Sequence, residues 1–351
     1  MSGRHRWAIG VATSTGILGL TMTSGLAMLA NHFVKELSRP HAVLNEAEFS
    51  WITPAPLPEP PYTLQRPLLF QTTDGALISG EFWAQPEPAP TIVLCHGYRI
   101  SRLHLRSVAS LEYARGYNVL CFDFRGHGTS DSVITSGGNA EVRDLEAAIM
   151  AASRQPETIP GRIILHGFSM GAAVALLTPP GPEVAAIIAD SPYARSDDII
   201  RRIVQFQLME HSNHWPTLAR RLNALFSPLA WATVAMSAVV FRLRFGYGFV
   251  ARPRFKRWKA LLEGATQPRT TPILLIHARG DQLIPIQHAY RLATEAKAND
   301  IPLETYFVDA IGHCSAYGYN PTQYDMVLRT FLERHLQSDF PAKHRNMKIP
   351  E

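Results

Sequence analysis

The sequence predicts an α/β fold: an eight-stranded, mostly parallel sheet with helices on both faces, a helical lid insert and an N-terminal transmembrane helix. Three observations predict it. Strand-like and helix-like stretches alternate from Leu68 onward, as they do in a parallel sheet covered by helices. One strand runs through a short turn, residues 167–171, straight into a helix. The chain ahead of Leu68 carries a long uncharged stretch and then a run of prolines.

The uncharged stretch, residues 7–30, is 24 residues long. A helix of that length crosses a hydrocarbon layer of about 30 Å. We therefore predict a membrane anchor over residues 1–34, with the folded domain on the extracytoplasmic side. A signal peptide cleaved after small residues such as Ala27 is the open alternative, and it would give a secreted or periplasmic protein. A buried helix in a soluble protein is a third.

Residues 35–67 are predicted to be a proline-rich, extended spacer, because six prolines lie between positions 53 and 67. The folded domain is expected over 68–337, with a lid insert over 192–264 and a polar tail over 338–351. The chain has 46% hydrophobic and 18% charged residues, which is typical of a globular core. A net charge of +5 is too small to indicate a nucleic-acid partner.

The domain should open with an antiparallel hairpin, since an Asp-Gly turn at 74–75 separates two strand-like runs, 68–72 and 77–83. Continuous apolar runs of the buried parallel type then predict six strands: 91–95, 118–123, 162–166, 185–190, 272–277 and 303–308. Helical periodicity between them predicts five helices: 103–115, 140–153, 170–178, 286–298 and 321–336.

Ser169 is the candidate nucleophile. It is the middle residue of Gly-Phe-Ser-Met-Gly at 167–171, and a sharp strand-to-helix turn of this type presents a serine hydroxyl on its tip. A serine needs a base to take its proton and an acid to orient that base. His313 follows the last strand and Asp281 follows the strand before it, so the three occur in the order Ser, Asp, His. Asp190, at the end of another strand, is the rival acid.

Two backbone N–H groups are needed to bind the oxyanion that such a nucleophile creates. Met170 directly follows Ser169 and supplies one. The loop after strand 91–95 supplies the other, which we assign to Tyr98. His96 begins this loop and is expected to orient it.

Five segments carry a family resemblance, in the family's order: 95–98, 123–131, 166–171, 280–285 and 312–313. They resemble the α/β-hydrolases and are similar to the BEM46-like and serine-peptidase-like members. The resemblance implies the α/β-hydrolase fold and a Ser169, Asp281 and His313 triad. It does not imply a substrate, because this fold hosts many chemistries. The loop 123–128 is expected to border the site without a catalytic role.

The insert departs from a minimal family member. Between residues 195 and 259 it carries twelve cations against three carboxylates, which leaves the remaining chain at −4. It also holds 17 uncharged residues, 225–241, which suit a lid or an interfacial segment. We expect its apolar side chains to lie above Ser169 and the substrate to carry an acyl chain. A lid that also touches anionic lipid is the alternative to one that only packs over the active site.

The leading hypothesis is a membrane-anchored serine hydrolase that cleaves carboxylic esters or thioesters of small or lipid-like acyl substrates. A peptidase with the same triad, acting near a peptide terminus, and a catalytically inactive binding protein are the alternatives. We expect no cofactor and no metal: the three cysteines lack zinc-ligand spacing, and no phosphate-binding or dinucleotide glycine motif is present.

Overall fold

The computed structural model describes residues 23–39, 58–212, 216–246, 248, 250–264 and 270–336. Most of the predicted anchor, part of the proline-rich spacer and the polar tail lie outside these residues. The described part of the N-terminal segment is a helix, α1, over 23–38.

Eight strands form one sheet: β1 (Gln65–Gln71), β2 (Leu77–Trp83), β3 (Ala89–Cys95), β4 (Asn118–Phe122), β5 (Thr158–Phe168), β6 (Val184–Asp190), β7 (Ile273–Gly280) and β8 (Leu303–Ile311). Their order is β1-β2-β4-β3-β5-β6-β7-β8. The pairs β1–β2 and β2–β4 are antiparallel, and every other pair is parallel. The eight-stranded, mostly parallel sheet is thus confirmed.

The first hairpin forms where the Asp-Gly turn predicts it, with Gln71 opposite Leu77 and Gly75 at a φ of 91°. The sheet nevertheless begins at Gln65, three residues inside the predicted spacer. Pro67 argues against a strand at this position, because proline has no N–H to donate to a β-sheet hydrogen bond. It is tolerated here because β1 is an edge strand.

The helices that follow α1 connect these strands: α2 (Arg106–Ala114), α3 (Glu141–Ser153), α4 (Met170–Leu177), α5 (Ser196–Ser212), α6 (Pro216–Phe245), α7 (Phe255–Glu263), α8 (Gln287–Ala298), α9 (Ala316–Tyr319) and α10 (Pro321–His335). The central strands β3, β4 and β6 are buried at every position. Strands buried on both faces require helices on both faces, which is why their sequences are apolar throughout.

The predicted insert lies between β6 and β7 and contains α5, α6 and α7. The insert is divided between two compact units. Of the described residues, those within 197–248 form a compact unit with 23–37, whereas those within 38–196 and 250–336 form the unit that holds the sheet. The last insert helix, α7, therefore belongs to the sheet unit.

Within the smaller unit, α1 packs on α6. Val34 is buried, and the Ser237 hydroxyl donates a hydrogen bond of 3.4 Å to the Ala30 carbonyl. Among the described residues one helical stretch, Pro228–Phe245, is long and apolar enough to span a membrane. The apolar segment predicted from sequence is thus part of a 30-residue helix. Its expected place above Ser169 stays a prediction.

Candidate active site

Ser169 lies in the sharp turn between β5 and α4. Its φ of 54° and ψ of −114° are strained for a residue with a side chain, and such strain is concentrated at functional sites. A Cβ on Gly167 would lie 2.6 Å from the Gly171 backbone, and a Cβ on Gly171 would lie 2.1 Å from the Cys95 carbonyl oxygen. Both glycines are therefore required by the close approach of backbone around the serine.

A chain of hydrogen bonds links Ser169, His313 and Asp281. His313 Nε2 lies 2.7 Å from Ser169 Oγ, and His313 Nδ1 lies 2.7 Å from Asp281 Oδ2. The partners assign the neutral tautomer: Nδ1–H donates to the carboxylate, which leaves Nε2 to accept from the serine hydroxyl. The structure thus brings together three residues that are 32 and 112 positions apart along the chain.

The carboxylate of Asp281 is fully buried and fixed from both sides. Its Oδ1 accepts hydrogen bonds of 2.9 Å from the backbone N–H groups of Leu283 and Ile284. The Nε2–H of His277 donates to the Ile284 carbonyl at 2.7 Å and so braces the same turn. With one oxygen held by the backbone, the other is aimed at His313.

The surroundings of His313 favour its acceptance of a proton from Ser169. Burial alone lowers the pKa of the imidazole, but the adjacent Cys314 and the Asp281 carboxylate outweigh burial and raise this pKa well above its usual range. A base with a raised pKa accepts the serine proton more readily, and the carboxylate stabilises the imidazolium that results.

Asp190, the rival acid, is hydrogen-bonded to side chains other than His313. It is fully buried, and its carboxylate accepts hydrogen bonds from the Ser191 hydroxyl at 2.9 Å and the Tyr324 hydroxyl at 3.2 Å. Burial raises its pKa to about 6. Its backbone carbonyl accepts the Ser169 N–H at 2.9 Å, so Asp190 supports the turn, whereas Asp281 contacts His313.

The loop after β3 passes beside Ser169, where a Cβ on Gly97 would lie 3.4 Å from the Ser169 Cβ. His96 Nδ1–H donates to the Gly97 carbonyl at 2.7 Å, while His96 Nε2 accepts the Phe124 N–H at 2.9 Å. The carbonyl and the next N–H of a trans peptide point in opposite directions, so this contact turns the Tyr98 N–H away from His96. The oxyanion roles of Tyr98 and Met170 remain predictions.

A second histidine, His127, holds the same loop and was not singled out from sequence. Its Nε2 accepts the Arg99 N–H at 3.2 Å, and its Nδ1–H donates to the Arg125 carbonyl at 2.9 Å. Burial lowers its pKa, which keeps Nε2 available as an acceptor. The 123–128 loop thus supports the backbone beside Ser169. The glycines on either side of His127 indicate a tight loop in the sequence. No sequence pattern shows which backbone group the His127 imidazole contacts.

Among the residues described here, no cluster of three or more His, Cys, Asp or Glu side chains has the arrangement of a metal site.

Comparisons with known proteins agree on the fold. Residues 92–322 match the Alpha/beta hydrolase family. YqkD of Bacillus subtilis is 28% identical over 264 residues, which cover 74% of this chain and 76% of YqkD. The monoacylglycerol lipase of Mycolicibacterium smegmatis is 26% identical over 262 residues, 68% of this chain and 86% of the lipase. The structure of an esterase from Pyrococcus furiosus, 24% identical, aligns with a TM-score of 0.57 over 85% of this chain and 98% of the esterase.

Proposed function

The chain belongs to the alpha/beta hydrolase family, and from this premise we propose that it is a membrane-anchored serine hydrolase that cleaves carboxylic esters or thioesters of acyl, lipid-like substrates. Within the family we place it with the BEM46-like and serine-peptidase-like members, on the motifs named above. The hydrogen-bonded chain from Ser169 through His313 to Asp281 carries the proposal.

The proposed reaction proceeds through an acyl-enzyme. Ser169 Oγ attacks the acyl carbonyl carbon as His313 Nε2 takes the hydroxyl proton, and the N–H groups of Tyr98 and Met170 bind the oxyanion. His313 then gives its proton to the departing alcohol or thiol, and the acyl group stays on Ser169. Water, deprotonated by His313, attacks this ester, so that the acid leaves and Ser169 regains its proton. Asp281 stabilises the imidazolium at both steps.

The acyl, lipid-like substrate class has two supports. One relative is a monoacylglycerol lipase, and the Pyrococcus furiosus structure is that of an esterase. The insert also carries the apolar helical stretch 228–245, in which large apolar side chains are exposed: Leu229, Trp231, Val239 and Leu243. Exposed apolar surface of this kind favours contact with an apolar substrate or with a membrane.

We also propose that the chain is held by a single N-terminal helix, with the catalytic domain extracytoplasmic. The uncharged stretch at 7–30 supports this arrangement, and its alternative is cleavage as a signal peptide.

A fluorophosphonate probe tests the nucleophile, since it reacts covalently with an activated serine. Wild-type protein should be labelled and the Ser169→Ala variant should not. p-Nitrophenyl esters from acetate to octanoate, a matching thioester and an aminoacyl p-nitroanilide then define the substrate. We expect the rate to rise with acyl length, and the alanine variant to lose about 10⁴-fold or more in kcat/KM.

Equal labelling of the two proteins would show that Ser169 is not the nucleophile. A preference for acetate over octanoate would contradict the lipid-like substrate class. Faster cleavage of the anilide than of any ester would replace esterase activity with the peptidase alternative.

A further inference from the structure

A cavity of about 690 Å³ lies in the sheet unit where the chain enters α7. Four cations line it, Arg252, Arg254, Lys256 and Arg257, together with the apolar side chains of Leu177 and Trp258. None of the described residues that line the cavity carries a carboxylate. The volume is in the range of ordinary ligand pockets, roughly 300–1,000 Å³.

The four cations repel one another, and three of them have little local compensation. Three of them, Arg254, Lys256 and Arg257, are exposed and form no ion pair with any residue that the structure describes. Like charges concentrated on one concave surface create a positive potential, and a bound anion relieves this repulsion.

The helix adds to this potential. Lys256 and Arg257 lie in the first turn of α7, where the helix dipole is positive and acidic residues are normally favoured, and this turn contains none. Two carboxylates lie nearby. Glu295 accepts the Phe255 N–H at 3.1 Å, and Asp300 pairs with Lys259 at 2.7 Å. Neither reaches the three exposed cations, so the charge of the cavity is left for a ligand.

The size and walls of the cavity indicate an anion that carries an apolar part. A free phosphate fills only a small part of such a volume, and Leu177 and Trp258 offer apolar contacts beside the cations. Along the chain, the cations follow closely after the apolar stretch Pro228–Phe245, in which the Leu243 side chain is 82% exposed. Clusters of basic residues on an amphipathic helix such as α7 are typical binding sites for anionic lipid headgroups.

We propose that this cavity binds the phosphate headgroup of an anionic phospholipid. The phosphate lies among Arg252, Arg254, Lys256 and Arg257, and the glycerol and the start of the acyl chains contact Leu177 and Trp258. This site is separate from Ser169, and lipid binding there requires no ester cleavage.

The test uses the full chain carrying Ser169→Ala, in an uncharged detergent, so that no lipid is turned over. Thermophoresis measures its affinity for dioctanoyl phosphatidylglycerol, for dioctanoyl phosphatidylcholine and for glycerol 3-phosphate. The pocket variant adds Arg254→Gln and Lys256→Gln. The matched control adds Arg154→Gln and Lys297→Gln, which remove the same charge from exposed positions of the same unit. Thermal melting of each variant verifies that it is folded.

We expect phosphatidylglycerol to bind at least tenfold more tightly than phosphatidylcholine. At about 1 kcal/mol for each basic residue, the pocket variant should lose on the order of 30-fold in affinity for phosphatidylglycerol. The control variant should stay within twofold of its parent.

Three results would overturn the proposal. Equal affinity of the pocket variant and its parent for phosphatidylglycerol would show that Arg254 and Lys256 do not bind the lipid. Equal binding of the two lipids would show that the anionic headgroup is not recognised. Glycerol 3-phosphate binding as tightly as phosphatidylglycerol would assign the cavity to a soluble phosphate instead of a lipid. A catalytically inactive wild-type protein would leave all three measurements interpretable, because they do not depend on hydrolysis.

Discussion

The Asp281 carboxylate determines which tautomer of His313 faces Ser169, because the Nδ1–H must donate to Asp281 Oδ2 for Nε2 to accept the serine proton. An amide at position 281 could present its NH₂ group to Nδ1 and stabilise the wrong tautomer. Asp281 also raises the pKa of His313, so its removal acts on both the rate and the pH dependence.

The Asp281→Asn variant should lose about 10⁴-fold in kcat. Wild-type kcat/KM should rise with pH as His313 loses its proton, with a midpoint above the ordinary value of 6.5. In the variant this midpoint should move to lower pH, because the imidazolium has lost its carboxylate. A pH profile of kcat/KM for each protein measures both effects.

Asp190→Asn is the matched control, since Asp190 is also a buried carboxylate but bonds to Ser191 and Tyr324. In Asp190→Asn, the midpoint of the rise of kcat/KM with pH should stay at its wild-type value. A shift of this midpoint in Asp190→Asn, with no shift in Asp281→Asn, would show that Asp190 is the carboxylate that acts on His313.

Position 171 requires glycine because the surrounding backbone leaves no room for a Cβ, and the Gly171→Ala variant tests this requirement. The added Cβ would lie 2.1 Å from the Cys95 carbonyl oxygen, in backbone that cannot move aside without displacing β3. We expect a loss of about 3 kcal/mol or more in the free energy of unfolding, measured in urea. Gly181→Ala, where nothing lies within 4 Å of the added Cβ, should leave the stability unchanged or slightly higher.

The loop that follows β3 is positioned by two histidines from different parts of the chain. His96 holds the Gly97 carbonyl and His127 holds the Arg99 N–H, so the peptide between Gly97 and Tyr98 is braced on both sides. Both imidazoles act in their neutral form, and burial lowers the pKa of each. The loop is thus preorganised before any oxyanion forms.

His127→Ala should lower kcat by roughly tenfold, less than the 10²–10³-fold that loss of an oxyanion donor costs, because the donor is displaced and not removed. KM should change little. Melting temperatures separate this effect from unfolding, and His127→Gln, which keeps an acceptor, should recover part of the rate. A variant that raises KM at constant kcat would instead give the loop a role in substrate binding.

The central elements could be predicted from sequence because a strand buried on both faces must be apolar throughout, as β3, β4 and β6 are. The edge strand β1 has a weaker pattern, since three of its seven residues are exposed, none is fully buried and one is Pro67. The order of Ser169, Asp281 and His313 likewise predicted residues that the structure brings together. The contact of His127 with Arg99 could not be predicted, because it joins two loops 28 residues apart through one side chain and one backbone group.

At the scale of the whole molecule, the net charge of +5 conceals an uneven distribution. The insert carries +9 and the remaining chain −4. Sequence located these cations but not their division between units: Arg242 and Arg244 lie in the unit of α1 and α6, whereas Arg252 and its neighbours line a cavity of the sheet unit. That division depends on tertiary packing, which composition does not encode.

The proposed membrane attachment is tested by extraction of isolated membranes that carry the full chain. Because an apolar helix is retained by the hydrocarbon layer, we expect the full chain to stay in the pellet after alkaline carbonate treatment. The mass of the recovered protein should include residues 1–30. Release into the supernatant would contradict the anchor, and a mass lacking the first 25–30 residues would replace it with a cleaved signal peptide.

The proposed mechanism requires that Ser169 becomes acylated during turnover. Rapid quenching of the enzyme with p-nitrophenyl octanoate, followed by peptide mass spectrometry, measures this directly. We predict an octanoyl group on the peptide that contains Ser169. Continued ester cleavage with no adduct, or an adduct on another residue, would contradict it.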